Sequence, residues 1–332
     1  MLTDLATAAL RPGLIWGFDF ADGACTPVNA AALADDLPAP GVFRWLHINL
    51  ADQSTLRWIG DSPALGARCR QVLLSGETHQ HIVADGSWTG LVLHDVERDF
   101  DEAETRIGVM RAVAGPSLII TARLHALRSG DILRGRIASG TWAPANPAAA
   151  LDMVLEAAGE ALRQVVAKLD ASVEEIEDAL LDDGASLEAR TFVAMRALMV
   201  KLHRVFSGAR AMLKDFDDGV RPASAMAETF DRAARRLASL DSDLLLIQAQ
   251  LRLLLEELDL QATQRTNQNL YILSMMTALM MPATLVTGLF GMNTHGLPWA
   301  SSPVGALIAT LLAVGASAAV YVALRLMGFI RQ

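Results

Sequence analysis

Apolar and polar positions change rhythm along this chain. Up to about residue 130, short apolar runs alternate with turn residues. The runs Leu14–Phe20, Phe43–Leu50 (FRWLHINL), Gly90–Val96, Arg106–Val113 and Ser117–Thr121 predict strands. Between them, a helical start at Asp52–Ser54 and helical patches at Leu65–Leu74 and Ala126–Arg136 predict an α/β arrangement. After Pro144 and Pro147 the period becomes helical, over 148–181 and again to about Phe216. The turn Asp182–Ser186 between them, with Ser186 as a possible N-cap, makes the pair an antiparallel hairpin.

A second break, Asp217–Pro222, precedes the longest pattern. From Ser224 no proline occurs until Pro282 and no glycine until Gly288, so one helix is expected over 224–290. At ~1.5 Å per residue such a helix runs roughly 100 Å. Leu237, Leu240, Leu244, Ile247, Leu251, Leu254 and Leu258 recur at the alternating spacing of a coiled-coil seam. Leu246, Leu253, Leu255 and Leu260 form a second apolar face, which calls for cover on both sides: the hairpin on one and copies of the helix itself on the other.

Residues 266–290 and 291–324 carry no Asp, Glu, Lys or Arg. Spans at about Leu270–Phe290 and Pro303–Leu324 each exceed the ~20 residues that cross a bilayer. Arg252 and Arg265 precede the first, and Arg325 and Arg331 follow the second, which places both termini in the cytoplasm. The N-terminus Met1–Asp4 has no signal-peptide pattern. The divisions expected are 1–145 (α/β), 146–221 (hairpin), 222–269 (stalk), 270–290 (first span), 291–302 (loop), 303–325 (second span) and 326–332 (tail).

The first span is polar for a lipid-facing helix. Asn267, Leu270, Ser274, Thr277, Met281, Thr284 and Gly288 fall on one stripe that leads toward Asn293. Small and hydroxyl residues serve as helix-packing contacts, or they line a watery path, and the stripe leaves both open. A path requires oligomerisation, because two helices cannot enclose one. Pro282 removes the N–H that would bond the Ala278 carbonyl, which favours the path.

Composition narrows the partners. Net charge −9, from 28 basic and 37 acidic residues, argues against nucleic acid and fits either cations or plain solubility. The two cysteines, Cys25 and Cys69, make neither a CxxC site nor a disulfide framework. No nucleophile–base pattern or phosphate loop points to an enzyme or an ATP-driven pump. Glu77, His79 and His81 would share one face of an extended segment, with His94 or Asp95 near enough to complete a zinc site, although an ordinary polar strand edge reads the same way. Acidic residues on the long helix, among them Asp241, Asp243, Glu256, Glu257 and Asp259, could concentrate cations.

Gly291-Met292-Asn293, directly after the first span and following Met281-Pro282, resembles the signature of the CorA superfamily of divalent-cation transporters. Trp45–Leu50, Gly76–Gln80 and Ala179–Asp183 also look like family segments, so the resemblance spans essentially the whole chain. The magnesium branch continues with a Met-Pro-Glu-type loop. Here Thr294–Trp299 has no carboxylate, and Gly296-Leu297-Pro298 is similar to the ZntB zinc-transporter branch.

The resemblance implies an α+β membrane protein assembled as a funnel-shaped homopentamer in the inner membrane. Its α/β domain, hairpin and stalk stand in the cytoplasm, and Gly291, Met292 and Asn293 ring the outer mouth of a pore lined by the stripe. The implied cargo is a hydrated divalent cation, Zn2+ favoured over Mg2+, Co2+, Ni2+ or Cd2+, with proton coupling open and no covalent cofactor. His295 departs from both branches and is a further candidate metal contact, and His81 stands where the family has Arg or Lys. A CorA-type magnesium and cobalt channel is the alternative. A membrane-anchored coiled-coil scaffold or sensor is the alternative of another class.

Overall fold

The computed structural model describes residues 13–28, 37–98, 105–140, 142–181, 189–214, 224–292 and 304–329. The expected turn at 182–186, the break at 217–222, Asn293 and His295 lie outside the described residues. The chain forms two compact units, Met1–Arg252 and Leu253–Gln332.

The first unit is built on a sheet of seven strands in the order β2-β1-β3-β7-β6-β5-β4. These are β1 (Leu14–Ala21), β2 (Ala24–Pro27), β3 (Phe43–Asn49), β4 (His81–Asp85), β5 (Trp88–Val96), β6 (Ile107–Ala114) and β7 (Leu118–Arg123). The helices α1 (Gln53–Asp61), α2 (Ala67–Leu74) and α3 (Arg128–Ala138) pack on it. The strands read as near-continuous apolar runs because both faces are covered. Consecutive residues go to opposite cores. Trp45, Leu91, Ala112 and Ile119 join Leu133, Ile137, Leu151 and Val154 on one side, while Leu46, Val92, Val113 and Ile120 join Ile59, Cys69, Val72 and Leu73 on the other.

The expected α/β domain is met, with a sheet of mixed pairing. Only β3–β7 is parallel, and the other neighbours pair antiparallel. Turn length decides this, since two-residue connections close hairpins and cannot make crossovers. Asp22 and Gly23, both at positive φ, turn β1 into β2, and Gly86 at φ 63° lies in the turn from β4 into β5. The predicted helical start is α1, whose N-cap Asp52 accepts from the N–H groups of Ser54 and Thr55.

Two long helices follow, α4 (Pro147–Leu181) and α5 (Ala189–Lys214), and then α6 (Ser224–Gly291), 68 residues without interruption. Arg232 pairs with Asp152 at 2.5 Å and Arg236 with Glu156 at 3.9 Å. The equal four-residue steps mean that α6 starts parallel to α4. Phe230, Ala233, Leu237, Leu240, Leu244, Ile247 and Leu251 of α6 are buried, whereas Leu246, Leu253 and Leu260 are more than half exposed. The single chain therefore covers one of the two apolar faces. Asp241, a sequence candidate for gathering cations, is instead buried between His203 at 2.7 Å and Arg210 at 3.2 Å. An ion needs exposed oxygens, which this carboxylate no longer offers.

Asp95 is the other sequence candidate that the fold removes. It is fully buried and accepts hydrogen bonds from the Val96 N–H at 2.7 Å and from the Ser129 hydroxyl. Burial pushes its carboxyl from 3.8 up to about 7, against the lowering effect of those hydrogen bonds. A carboxyl with a raised folded value favours folding while protonated. Its contribution is full below the unfolded value of 3.8 and is lost as pH rises through about 7. Asp95→Asn should therefore gain stability over the wild type progressively between those two pH values. Thermal unfolding of both proteins across that range checks this; a constant difference contradicts it.

Candidate functional site

In the second unit, α6 beyond Leu253 is joined by α7 (Gly305–Leu326). Both helices are long and apolar enough to cross a membrane, with mean hydropathy 1.7 and 2.2 over their most apolar 18 residues. Those stretches are 0% and 6% buried within the chain, whereas the core helix of a soluble protein would be mostly buried.

The two helices meet along small side chains. On α7, Gly305 and Ala313 are buried and Ala309, Ala316, Ser317 and Val320 half-buried. On α6, Met275, Ala278, Leu279, Pro282, Ala283, Val286 and Phe290 are half-buried. The small α7 side chains face larger ones on α6, and the Ser317 hydroxyl donates to the Leu279 carbonyl at 2.8 Å. At the other end Tyr271 donates to the Phe329 carbonyl at 2.6 Å.

The predicted stripe is on the opposite side. Asn267, Leu270, Ser274, Thr277, Met281, Thr284 and Gly288 are all exposed, with Met281 at 67%. It is not the glue between α6 and α7; that seam uses other residues. Pro282 and Ala278 belong to the α7 side, so the proline does not single out the stripe. The hydroxyls on this half of α6 turn inward to their own helix. Thr277 donates to Leu273 O at 2.9 Å, Thr284 to Met280 O at 3.0 Å and Thr287 to Thr284 O at 3.1 Å.

Gly291 ends the helix, and Met292 follows it, 55% exposed. The backbone at Gly291 does not itself require glycine. Its φ is not among the positive ones, and a Cβ there would touch nothing within 4 Å.

In the first unit, the ligand atoms of Glu77, His79 and His81 lie within 4.8 Å of one another. The reason differs from the one expected. Residues 77–80 are not a strand, and β4 begins only at His81. Three successive carbonyls fix the segment instead. Arg111 donates to Glu77 O at 2.9 Å, His94 Nε2 to Thr78 O at 2.9 Å and His81 Nδ1 to His79 O at 2.9 Å. His94 thus holds the segment and is not part of the cluster, and desolvation lowers its pKa. Gln80 reaches α5 through the Val205 carbonyl at 3.0 Å.

The model of the family described as CorA-like Mg2+ transporter protein matches residues 40–326. The chain belongs to this family. Its members are divalent-cation transporters rather than enzymes. Among similar proteins is the zinc transport protein ZntB of Enterobacter sp. (strain 638), 24% identical over 261 residues, which are 76% of this chain and 78% of the relative. Among solved structures, the CorA magnesium transporter of Methanocaldococcus jannaschii superposes with TM-score 0.79 at 17% identity, covering 95% of this chain and 98% of that one. Full-length CmaX superposes with TM-score 0.75 at 21% identity, over 94% and 97%. At these identities the two structures establish a shared fold for this CorA-family chain.

Sequence reading missed the α7 seam. Its signal was present as Gly305, Ala309, Ala313 and Ala316, small residues at helical spacing. Ala313→Leu should overpack it and cost about 1–3 kcal/mol. Leu311→Ala, at a position 65% exposed, should cost little. Unfolding of both in SDS–detergent mixtures tests the pair; equal sensitivity contradicts this packing.

Proposed function

We propose that this chain moves divalent metal cations across the inner membrane through a homopentameric pore lined by the exposed stripe of α6, with Zn2+ as the favoured cargo. The observation that carries the reading is the stripe itself. A face bearing Asn267, Ser274, Thr277 and Thr284 is left uncovered by α7 and leads directly into Gly291-Met292-Asn293. Lipid offers the Asn267 amide and the outward lone pairs of Thr277 and Thr284 no hydrogen bonds, whereas water along an axis between copies of the chain does.

Each ring of the pore has a distinct task. Asn293 amides at the mouth accept hydrogen bonds from the water around an ion, which spares a small divalent cation the cost of dehydration. Leu270 and Met281 form apolar constrictions that close by dewetting. With no Asp or Glu in either span, attraction comes from amide, hydroxyl and carbonyl oxygens. Zinc is favoured by the likeness to a protein named for zinc transport and by a loop, Thr294–Trp299, without a carboxylate. A magnesium pore is the second reading, supported by the likeness to a magnesium transporter. Arg252, Arg265, Arg325 and Arg331 put both termini in the cytoplasm.

Purified protein in liposomes loaded with a zinc-sensitive dye should admit Zn2+. Asn293→Ala should slow entry about tenfold or more, and Thr284→Val, which keeps the shape and removes the oxygen, should slow it severalfold. An imposed pH gradient reads out proton coupling in the same vesicles. Mg2+ entry without Zn2+ entry moves the chain to the magnesium reading. No entry of either ion, from protein whose mass is that of a pentamer, overturns transport in favour of a membrane-anchored scaffold.

A further inference from the structure

We propose that Glu77, His79 and His81 form a resident binding site for a zinc-class transition-metal ion in the N-terminal unit. This does not rest on the transport reading and involves none of its residues. The site lies at the end of a cleft of about 800 Å3 between α2, β4 and α5, lined among others by Gln71, Ser75, Gly208 and Met212.

Three features make it a metal site rather than a polar strand edge. The first is convergence: two imidazoles and a carboxylate present ligand atoms within 4.8 Å of one another. Tetrahedral zinc with ligand bonds of about 2.0–2.1 Å needs them roughly 3.3 Å apart. Rotation of the two exposed side chains, Glu77 and His79, closes that gap.

The second is the tautomer of His81. A carbonyl only accepts, so Nδ1 carries a proton toward His79 O, and in the neutral ring it is Nε2 that offers the lone pair. That Nε2 is the atom turned toward Glu77, 3.9 Å from Oε2. A ring nitrogen fixed by a backbone carbonyl while the other is free is the arrangement that orients histidine ligands.

The third is rigidity. The carbonyls of Glu77, Thr78 and His79 are each held by a side chain, two of them from β5 and β6, so the backbone that carries the ligands is already ordered before metal arrives.

The donor set selects the ion. Imidazole suits Zn2+, Co2+, Ni2+ and Cu2+, while Mg2+ demands oxygen ligands in octahedral geometry. Three protein ligands leave a fourth position to water. Gln80, the residue between the two histidines, is bound to α5, and a Cβ on Gly208 would come within 2.8 Å of its amide nitrogen. Metal at this site therefore ties the segment before β4 to the first residue of β4, beside the contact that Gln80 already makes with α5.

The test uses the full-length protein in detergent, with Co2+ as the visible probe. The wild type should take up Co2+ with the intense ligand-field absorption of a four-coordinate nitrogen-containing site. Zn2+ should displace it, and a thousandfold excess of Mg2+ should not. Added Zn2+ should also raise the midpoint of thermal unfolding. His79→Gln should weaken Co2+ binding by about 10- to 100-fold, and the double variant His79→Gln, His81→Gln should abolish both the spectrum and the thermal shift. Asn293→Ala should retain both, which keeps the result separate from any failure of transport. A metal-free unfolding midpoint equal to that of the wild type shows the double variant to be folded. If that folded variant binds Co2+ with the wild-type spectrum, or if the wild type gives only the weak spectrum of octahedral oxygen coordination, the proposal is overturned.

Discussion

From Phe230 to Leu251 every third or fourth residue of α6 is buried, and beyond Leu251 the burial stops while the apolar sequence goes on. Leu253, Leu260, Leu270, Ile272, Leu273, Met276 and Met281 are each more than half exposed. At about 25 cal/mol for each Å2 of apolar surface, a helix this long cannot stand bare in water. Its environment must change along its length, from protein core to an apolar setting that the chain itself does not supply. The sheet, with its helices on both faces, satisfies itself within the first unit. The α6 helix is the element that carries the chain from a protein core into a long apolar stretch with no cover within the chain.

Much of this was legible in the sequence because it depends on local pattern. The stretch free of Pro and Gly from Ser224 to Met281 and the two stretches without charge yield α6 and α7 nearly to the residue. The five predicted strands correspond to β1, β3, β5, β6 and β7, since β-branched and aromatic runs between turns carry their own signature. Two strands escaped, β2 (ACTP) and β4 (HIVAD), which are short edge strands with little apolar pattern. Their signal lay in the turns, Asp22-Gly23 and Asp85-Gly86, and not in the strands.

The site was less legible than the fold, for a related reason. Periodicity put the stripe residues on one face but could not say whether α7 covered it. That depended on Gly305, Ala309 and Ala313, small residues that carry little hydrophobic signal. Asp95 and Asp241 looked like free carboxylates because their partners, Ser129, His203 and Arg210, are more than 30 residues away in sequence. Glu77, His79 and His81 were grouped as one face of a strand, yet only His81 lies in one. They converge because Arg111, His94 and His81 capture successive carbonyls, which no spacing rule encodes.

Thr277, Thr284 and Thr287 have each committed their only hydroxyl proton to a carbonyl of their own helix. What they show outward is an oxygen whose remaining capacity is to accept. A chloride or phosphate approaching these oxygens finds lone pairs and nothing to bind, while a cation, or the hydrogens of the water around it, finds a partner. In the proposed pore these threonine oxygens would therefore favour cations over anions without bearing any charge themselves. Such selectivity involves no titratable group and so is indifferent to pH, and it should persist at salt concentrations that screen a ring of carboxylates.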